Sequence, residues 1–265
     1  VIPPGSGHPQ DLATAATPVA TSAAEVVALA RSADSLAELD ARSTVCRACP
    51  RLVAWREEVA VTRRRAYADE SYWGRPVSGF GDPAPRVLVM GLAPAAHGGN
   101  RTGRIFTGDR SGDWLYAALF RAGFATQPTS VRAGDGLALR EVRVTLGVRC
   151  APPGNRPHPS ELAACGGWLG AELSRVLPTV RVAVVLGAIG WDALLRGLVT
   201  AGHAVPRPRP AFGHGVEVQL PSGLVLLGCY HVSQQNTFTG RLTEPMLDRV
   251  FARARELAGL PAVTR

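Results

Sequence analysis

Short apolar runs rich in β-branched residues punctuate this chain at Arg86–Met90, Val142–Val148, Val182–Leu186 and Leu224–Cys229. Each has the length and composition of a strand, and helical patterns such as Asp113–Ala122 and Glu161–Leu177 lie between them. Strands alternating with helices predict an α/β fold with a mainly parallel sheet covered on both faces. In such a sheet ligands bind at the carboxyl ends of the strands, so the loops that follow the strands are where chemistry is expected. Upstream, Val26, Val27, Leu29, Leu36 and Leu39 recur at near-helical spacing, which predicts one or two helices between Ala23 and Ala48. Residues 1–22 are rich in Pro, Gly, Ala, Ser and Thr and show little periodicity, so they read as a flexible tail preceding a single domain over 23–265. Pro206–Phe212, with alternating Pro and Arg, reads as a stiff surface loop. No internal repeat is visible.

Composition narrows the class. The chain has 265 residues, 46% hydrophobic and 19% charged, enough for one large α/β core. No apolar run approaches the roughly twenty residues that span a bilayer. A net charge of +8 and a pI near 10.0 favour a polyanionic partner, nucleic acid first. All 29 basic residues are arginine. With no lysine, the usual amine for Schiff-base chemistry is missing.

Four of the five cysteines form two pairs: Cys46 and Cys49, with two residues between them, and the distant Cys150 and Cys165, which bracket a proline-rich loop. So few cysteines in a chain of this length, without a signal peptide pattern, favour reduced thiols in an intracellular protein over a disulfide framework. Four such thiolates can hold zinc or an iron-sulfur cluster, and spacing does not separate the two. Cys229, inside an apolar run, reads as an ordinary core residue.

The loop after the first strand, Gly91-Leu92-Ala93-Pro94-Ala95-Ala96-His97-Gly98-Gly99-Asn100, continues through Arg101, Arg104 and Phe106 to Asp109. Its glycines allow close backbone approach to a ligand. It lacks the Lys-Ser/Thr ending of a phosphate loop and the spacing of a dinucleotide fingerprint, which argues against a nucleotide triphosphatase. The last strand runs into Tyr230-His231-Val232-Ser233-Gln234-Gln235-Asn236-Thr237-Phe238-Thr239-Gly240-Arg241, where an imidazole is followed by amides and hydroxyls suited to a polar ligand.

From Ser43 to Ala254 these residues resemble the uracil-DNA glycosylase superfamily, specifically its family 5 branch. The Gly-Leu-Ala-Pro loop with its His-Gly extension is similar to that branch's first motif, and His231 through Arg241 to its second. The resemblance implies a three-layer α/β/α sandwich with a short, mainly parallel central sheet. It also implies a structural 4Fe-4S cluster on Cys46, Cys49, Cys150 and Cys165, so the resemblance, not the spacing, selects iron-sulfur over zinc. It further implies removal of uracil from DNA, by a cytoplasmic, nucleoid-associated monomer.

On this resemblance the backbone of Gly91, Leu92 and Ala93 and the imidazole of His231 face the base, and Phe106 stacks on it. Other branches place Asp or Asn where this chain has Ala93, so the water-positioning role falls to Asn100, with Asp109 as the alternative or as a helix cap. Asn155 is expected beside the pocket or as a turn former. Leu146 stands where the related cluster-bearing branch has a uracil-reading asparagine, which implies a broad range including hypoxanthine, xanthine and etheno-cytosine. Without lysine, the expected product is an intact abasic site. Arg101, Arg104 and Arg241 are expected on DNA phosphates, and Ser233, Gln234, Gln235 and Asn236 against the duplex. The alternative from another class is a non-catalytic, metal-stabilised nucleic-acid-binding protein.

Overall fold

The computed structural model describes residues 1–263; the last two positions of the expected 23–265 domain, 264 and 265, lie outside the described residues. Six strands form one sheet: β1 (Phe80–Gly81), β2 (Val87–Gly91), β3 (Val142–Leu146), β4 (Val182–Leu186), β5 (Glu217–Gln219) and β6 (Val225–Cys229). Their spatial order is β1-β3-β2-β4-β6-β5. The inner four, β3-β2-β4-β6, are parallel, and β1 and β5 close the two edges antiparallel.

Among the described residues nine α-helices surround this sheet: α1 (Ala23–Arg31), α2 (Leu36–Thr44), α3 (Pro50–Thr62), α4 (Gly99–Thr102), α5 (Arg110–Arg121), α6 (Pro159–Val176), α7 (Ala188–Thr200), α8 (Gln234–Phe238) and α9 (Glu244–Leu257). The strand pleat sends alternate side chains to opposite faces. Val87, Val89, Val182 and Val184 pack with Leu115, Leu119, Leu247 and Phe251 of α5 and α9. Leu88, Met90, Ala183 and Val185 pack with Leu173, Trp191, Leu194 and Leu198 of α6 and α7. Because both faces are covered, β2, β3 and β4 are buried at every position. The three-layer sandwich and mainly parallel sheet are as expected. Among the described residues no helix is long and apolar enough to cross a membrane.

Residues 1–22 carry no helix or strand, yet they are anchored to the body. Asp11 and Arg75 form an ion pair at 2.5 Å with both side chains buried. The Ile2 amide donates to the Tyr72 and Trp73 carbonyls, and the His8 ring lies 4.8 Å from that of Trp73. Local composition, which reads as a flexible tail, does not reveal these contacts, whose partners lie more than sixty residues away.

Candidate active site

The carboxyl ends of β2, β3 and β6 bring together Gly91, Leu146 and the Tyr230-His231 exit. Gly91 and Leu146 are register partners across β2 and β3. A β-carbon on Gly91 would lie 2.8 Å from Leu146 Cδ2 and 3.0 Å from Phe106 Cζ, so only glycine leaves room for this packing. Phe106, 7% exposed and with a φ of 49°, places its ring centroid 6.3 Å from that of His231. The result is an apolar floor of Phe106 and Leu146 beside one imidazole.

His231 is held from behind. The Asn236 side-chain amide, on α8, donates to the His231 carbonyl over 2.8 Å. Burial of the ring pushes its pKa down to about 4, so the imidazole is neutral at pH 7. A neutral imidazole donates one hydrogen bond without first losing a proton, as suits a group facing a developing anion.

Asp109 caps α5: its Oδ1 accepts from the Gly112 amide at 3.0 Å. Its carboxylate fills the place a side chain at Gly98 would take, so it sits against the Gly91 loop. Burial raises its pKa above the ordinary carboxylate value despite the amides of Gly112 and Ser111.

Several expected site residues lie elsewhere. Asn100 is 0% exposed, and its amide donates to the Arg56 carbonyl at 3.1 Å, so it ties α4 to α3 where no solvent water reaches it. Arg101 is buried; it pairs with Glu70 and donates to the carbonyls of His97 and Gly108. Arg104, 1% exposed, forms a bidentate pair with Asp135 at 2.9 Å and binds Thr107 and Ser130. Both arginines order the loop from inside instead of facing a phosphate, which corrects the DNA-contact expectation for them. Arg241 is exposed, with its guanidinium 4.7 Å above the Tyr230 ring. Gln234 and Gln235 are exposed on α8 and Ser233 precedes them, whereas the Asn236 side chain is committed to His231. Asn155 is exposed at a φ of 57° in a short turn, its amide donating to the Pro152 carbonyl.

The four paired cysteines line one cavity together with Arg56, Leu52, Val148 and Trp168. Cys46 follows α2, Cys49 caps α3, Cys150 lies beyond β3 and Cys165 is on α6. Burial pushes the Cys49 thiol up to about 11 and Cys165 still higher, so without a bound cation these groups stay protonated at pH 7. Among the described residues no three His, Cys, Asp or Glu side chains converge closely enough for one metal ion. A tetrahedral zinc, with bonds of about 2.3 Å, would need sulfurs about 3.8 Å apart. A multi-iron cluster spreads its ligands wider. The donor set suits such a group: Arg56 Nη1 donates to Cys150 Sγ at 2.9 Å and the Arg149 amide to Cys165 Sγ at 3.4 Å, the kind of hydrogen bonding that supports cluster sulfurs.

The carboxyl edge of the α/β/α sandwich thus carries an aromatic ring beside an imidazole that is neutral at pH 7, and a capping carboxylate on the adjoining loop. The chain belongs to the uracil DNA glycosylase superfamily, whose family model matches residues 78–255. It is 58% identical over 98% of its length to the type-5 uracil-DNA glycosylases of Mycobacterium bovis and Mycobacterium tuberculosis, covering 95% of each. It is 55% identical to the type-5 uracil-DNA glycosylase of Thermus thermophilus over 82% of this chain and 95% of that one.

Proposed function

We propose that this chain is a monofunctional DNA glycosylase, which hydrolyses the bond between uracil and deoxyribose and leaves an abasic site for base excision repair. The observation that carries the reading is near-full-length identity of 58% to type-5 uracil-DNA glycosylases, together with the grouping of Phe106, Leu146 and His231 at the carboxyl ends of the strands. The target base leaves the duplex stack at a cost of a few kcal/mol, and stacking on Phe106 offsets part of it. As the bond breaks, negative charge moves onto the base, and amides of the Gly91 loop with neutral His231 donate to its oxygen. Asp109 takes over the water-positioning role from the buried Asn100, because its carboxylate borders the same loop and burial makes it a better base.

The apolar wall of Leu146 supports a range beyond uracil that includes hypoxanthine, xanthine and etheno-cytosine, since a wall without hydrogen-bonding groups rejects few bases. Arg241, with Ser233, Gln234 and Gln235, meets DNA beside the pocket, and Asn155 contacts the nucleotide from the opposite loop. Cys46, Cys49, Cys150 and Cys165 hold a 4Fe-4S cluster, which when bound fixes the α2–α3 connection to the loop before α6.

The test is base release from labelled single- and double-stranded oligonucleotides carrying uracil, hypoxanthine or etheno-cytosine, with and without alkali. Alkali-dependent cleavage of more than one lesion is expected. Binding without release would overturn the enzyme reading, and strand breakage without alkali would overturn the monofunctional one.

A further inference from the structure

Six arginines are buried among the described residues, and five of them face a carboxylate. Arg75 pairs with Asp11, Arg101 with Glu70, Arg104 with Asp135, and Arg143 and Arg149 share Glu172 and Asp40. The exception is Arg56, 1% exposed in the middle of α3. Its Nη1 donates to Cys150 Sγ at 2.9 Å, its Nη2 to the Cys46 carbonyl at 3.0 Å, and its Nε has no partner. The nearby carboxylates are taken: Glu57 by Arg47 and Glu161 by Arg51.

An uncompensated buried cation is strongly destabilising, and one hydrogen bond to a neutral thiol does not offset that. Four thiolates, by contrast, bring four negative charges, more than a doubly charged metal centre cancels. We propose that Arg56 is the built-in counter-charge of an anionic centre on Cys46, Cys49, Cys150 and Cys165. Through its carbonyl, which accepts from Asn100, it also couples that centre to the loop after β2. Arg56 is thus a positioning residue that reads the state of the cysteine site and holds the segment leading from Gly91 to Phe106. The inference rests on the reading of the four cysteines as ligands of a cluster.

The experiment uses the full chain purified without oxygen. Iron and sulfide content with visible absorbance of the unmodified protein tests the cluster reading alone. Arg56→Gln and Arg56→Lys are then compared with it by midpoint potential, rate of iron loss in air, and hydrogen exchange over residues 97–104. Removing the positive charge disfavours the more negative, reduced state. Arg56→Gln is expected to lower the midpoint by about 59 mV or more, tenfold for a one-electron couple. It is also expected to lose iron at least tenfold faster and to exchange faster over 97–104, with Arg56→Lys restoring most of the potential. A fully loaded Arg56→Gln with unchanged potential and iron retention overturns the proposal. If the glutamine variant does not load, the lysine variant decides: wild-type potential supports the charge role, and equal depletion of iron overturns it. Zinc in place of iron would sink the cluster reading and leave the counter-charge to be judged by a tenfold fall in metal affinity of Arg56→Gln.

Discussion

The Phe106 ring occupies the space in front of Gly91: a β-carbon there would come within 3.0 Å of Cζ and 3.1 Å of Cε2. Phe106 cannot retreat freely, because its backbone is held at a φ of 49° and the residue before it is pinned by the Tyr116 hydroxyl, which donates to the Ile105 carbonyl at 2.8 Å. Gly91→Ala therefore forces the ring into the pocket. Overpacking of this kind costs about 1–3 kcal/mol. Steady-state assays on a uracil oligonucleotide should show kcat/KM reduced about tenfold or more with the fold intact by circular dichroism. Wild-type kinetics in Gly91→Ala would mean that Phe106 does not define the pocket floor.

His231 links the site to stability. Its ordinary value of 6.5 applies when the chain is unfolded, and burial lowers it to about 4 in the fold. The unfolded state therefore binds more protons between these values, so this contribution is complete above about pH 6.5 and is lost as pH falls toward 4. At about 1.4 kcal/mol per unit, the full effect is roughly 3 kcal/mol. Denaturant titrations from pH 4 to 7 should show this slope, and His231→Gln should remove that part of it. Catalysis above pH 6 should show no histidine limb. A limb near 6.5 abolished by His231→Gln would mean that the ring titrates as if exposed.

The sheet was the most legible part of the sequence, because strands covered on both faces leave near-continuous apolar runs. Val182–Leu186 is matched residue for residue by β4. The edge strands were not legible: β1 has two residues, and in β5 Glu217 and Gln219 face solvent, so neither leaves a pattern. The loop residues failed for a different reason. Arg101 and Arg104 sit in a glycine-rich motif that advertises exposure, but their carboxylates, Glu70 and Asp135, each lie 31 positions away. Asn100 is likewise claimed by a carbonyl 44 positions upstream. Its neighbour Asp109 was readable as a cap from position alone, yet its place beside Gly98 came only with the fold.

Asp109→Asn isolates charge from capping, since asparagine caps helices about as well as aspartate. The expected outcome is a fall in kcat of about 10²-fold or more with little change in Tm. Because burial raises the pKa of this carboxyl, the acid limb of kcat/KM should lie above the ordinary carboxylate range and disappear in the variant. An unchanged pH profile in Asp109→Asn would remove Asp109 from the reaction.

Arg241 and Arg104 should behave oppositely. Arg241 is exposed beside Tyr230, so Arg241→Ala should weaken DNA binding uniformly and reduce the salt slope by about one, with Tm unchanged. Arg104→Ala takes the guanidinium from Asp135, which keeps only the Val131, Arg132 and Leu137 amides, and from Ser130 and Thr107, and should cost about 3 kcal/mol of stability. Fluorescence anisotropy between 50 and 200 mM salt, with thermal unfolding, separates the two. A stable Arg104→Ala with a shallower salt slope would return that residue to the DNA surface.

Leu146 is the residue through which substrate range is open to redesign. It is 2% exposed at the end of β3, opposite Gly91, and in the proposed base site it would supply neither donor nor acceptor. Leu146→Asn supplies both, and a base that pairs with the new amide gains while one that leaves it unpaired in a dry pocket is penalised. The ratio of uracil to hypoxanthine release should rise at least tenfold, at a cost of about 2–5 kcal/mol in stability from the lost apolar packing. Since β2 and β3 hold Leu146 and Gly91 in register whatever the side chain, an unchanged ratio could not be blamed on a displaced strand; selectivity would then have to reside in the Gly91 loop amides and His231.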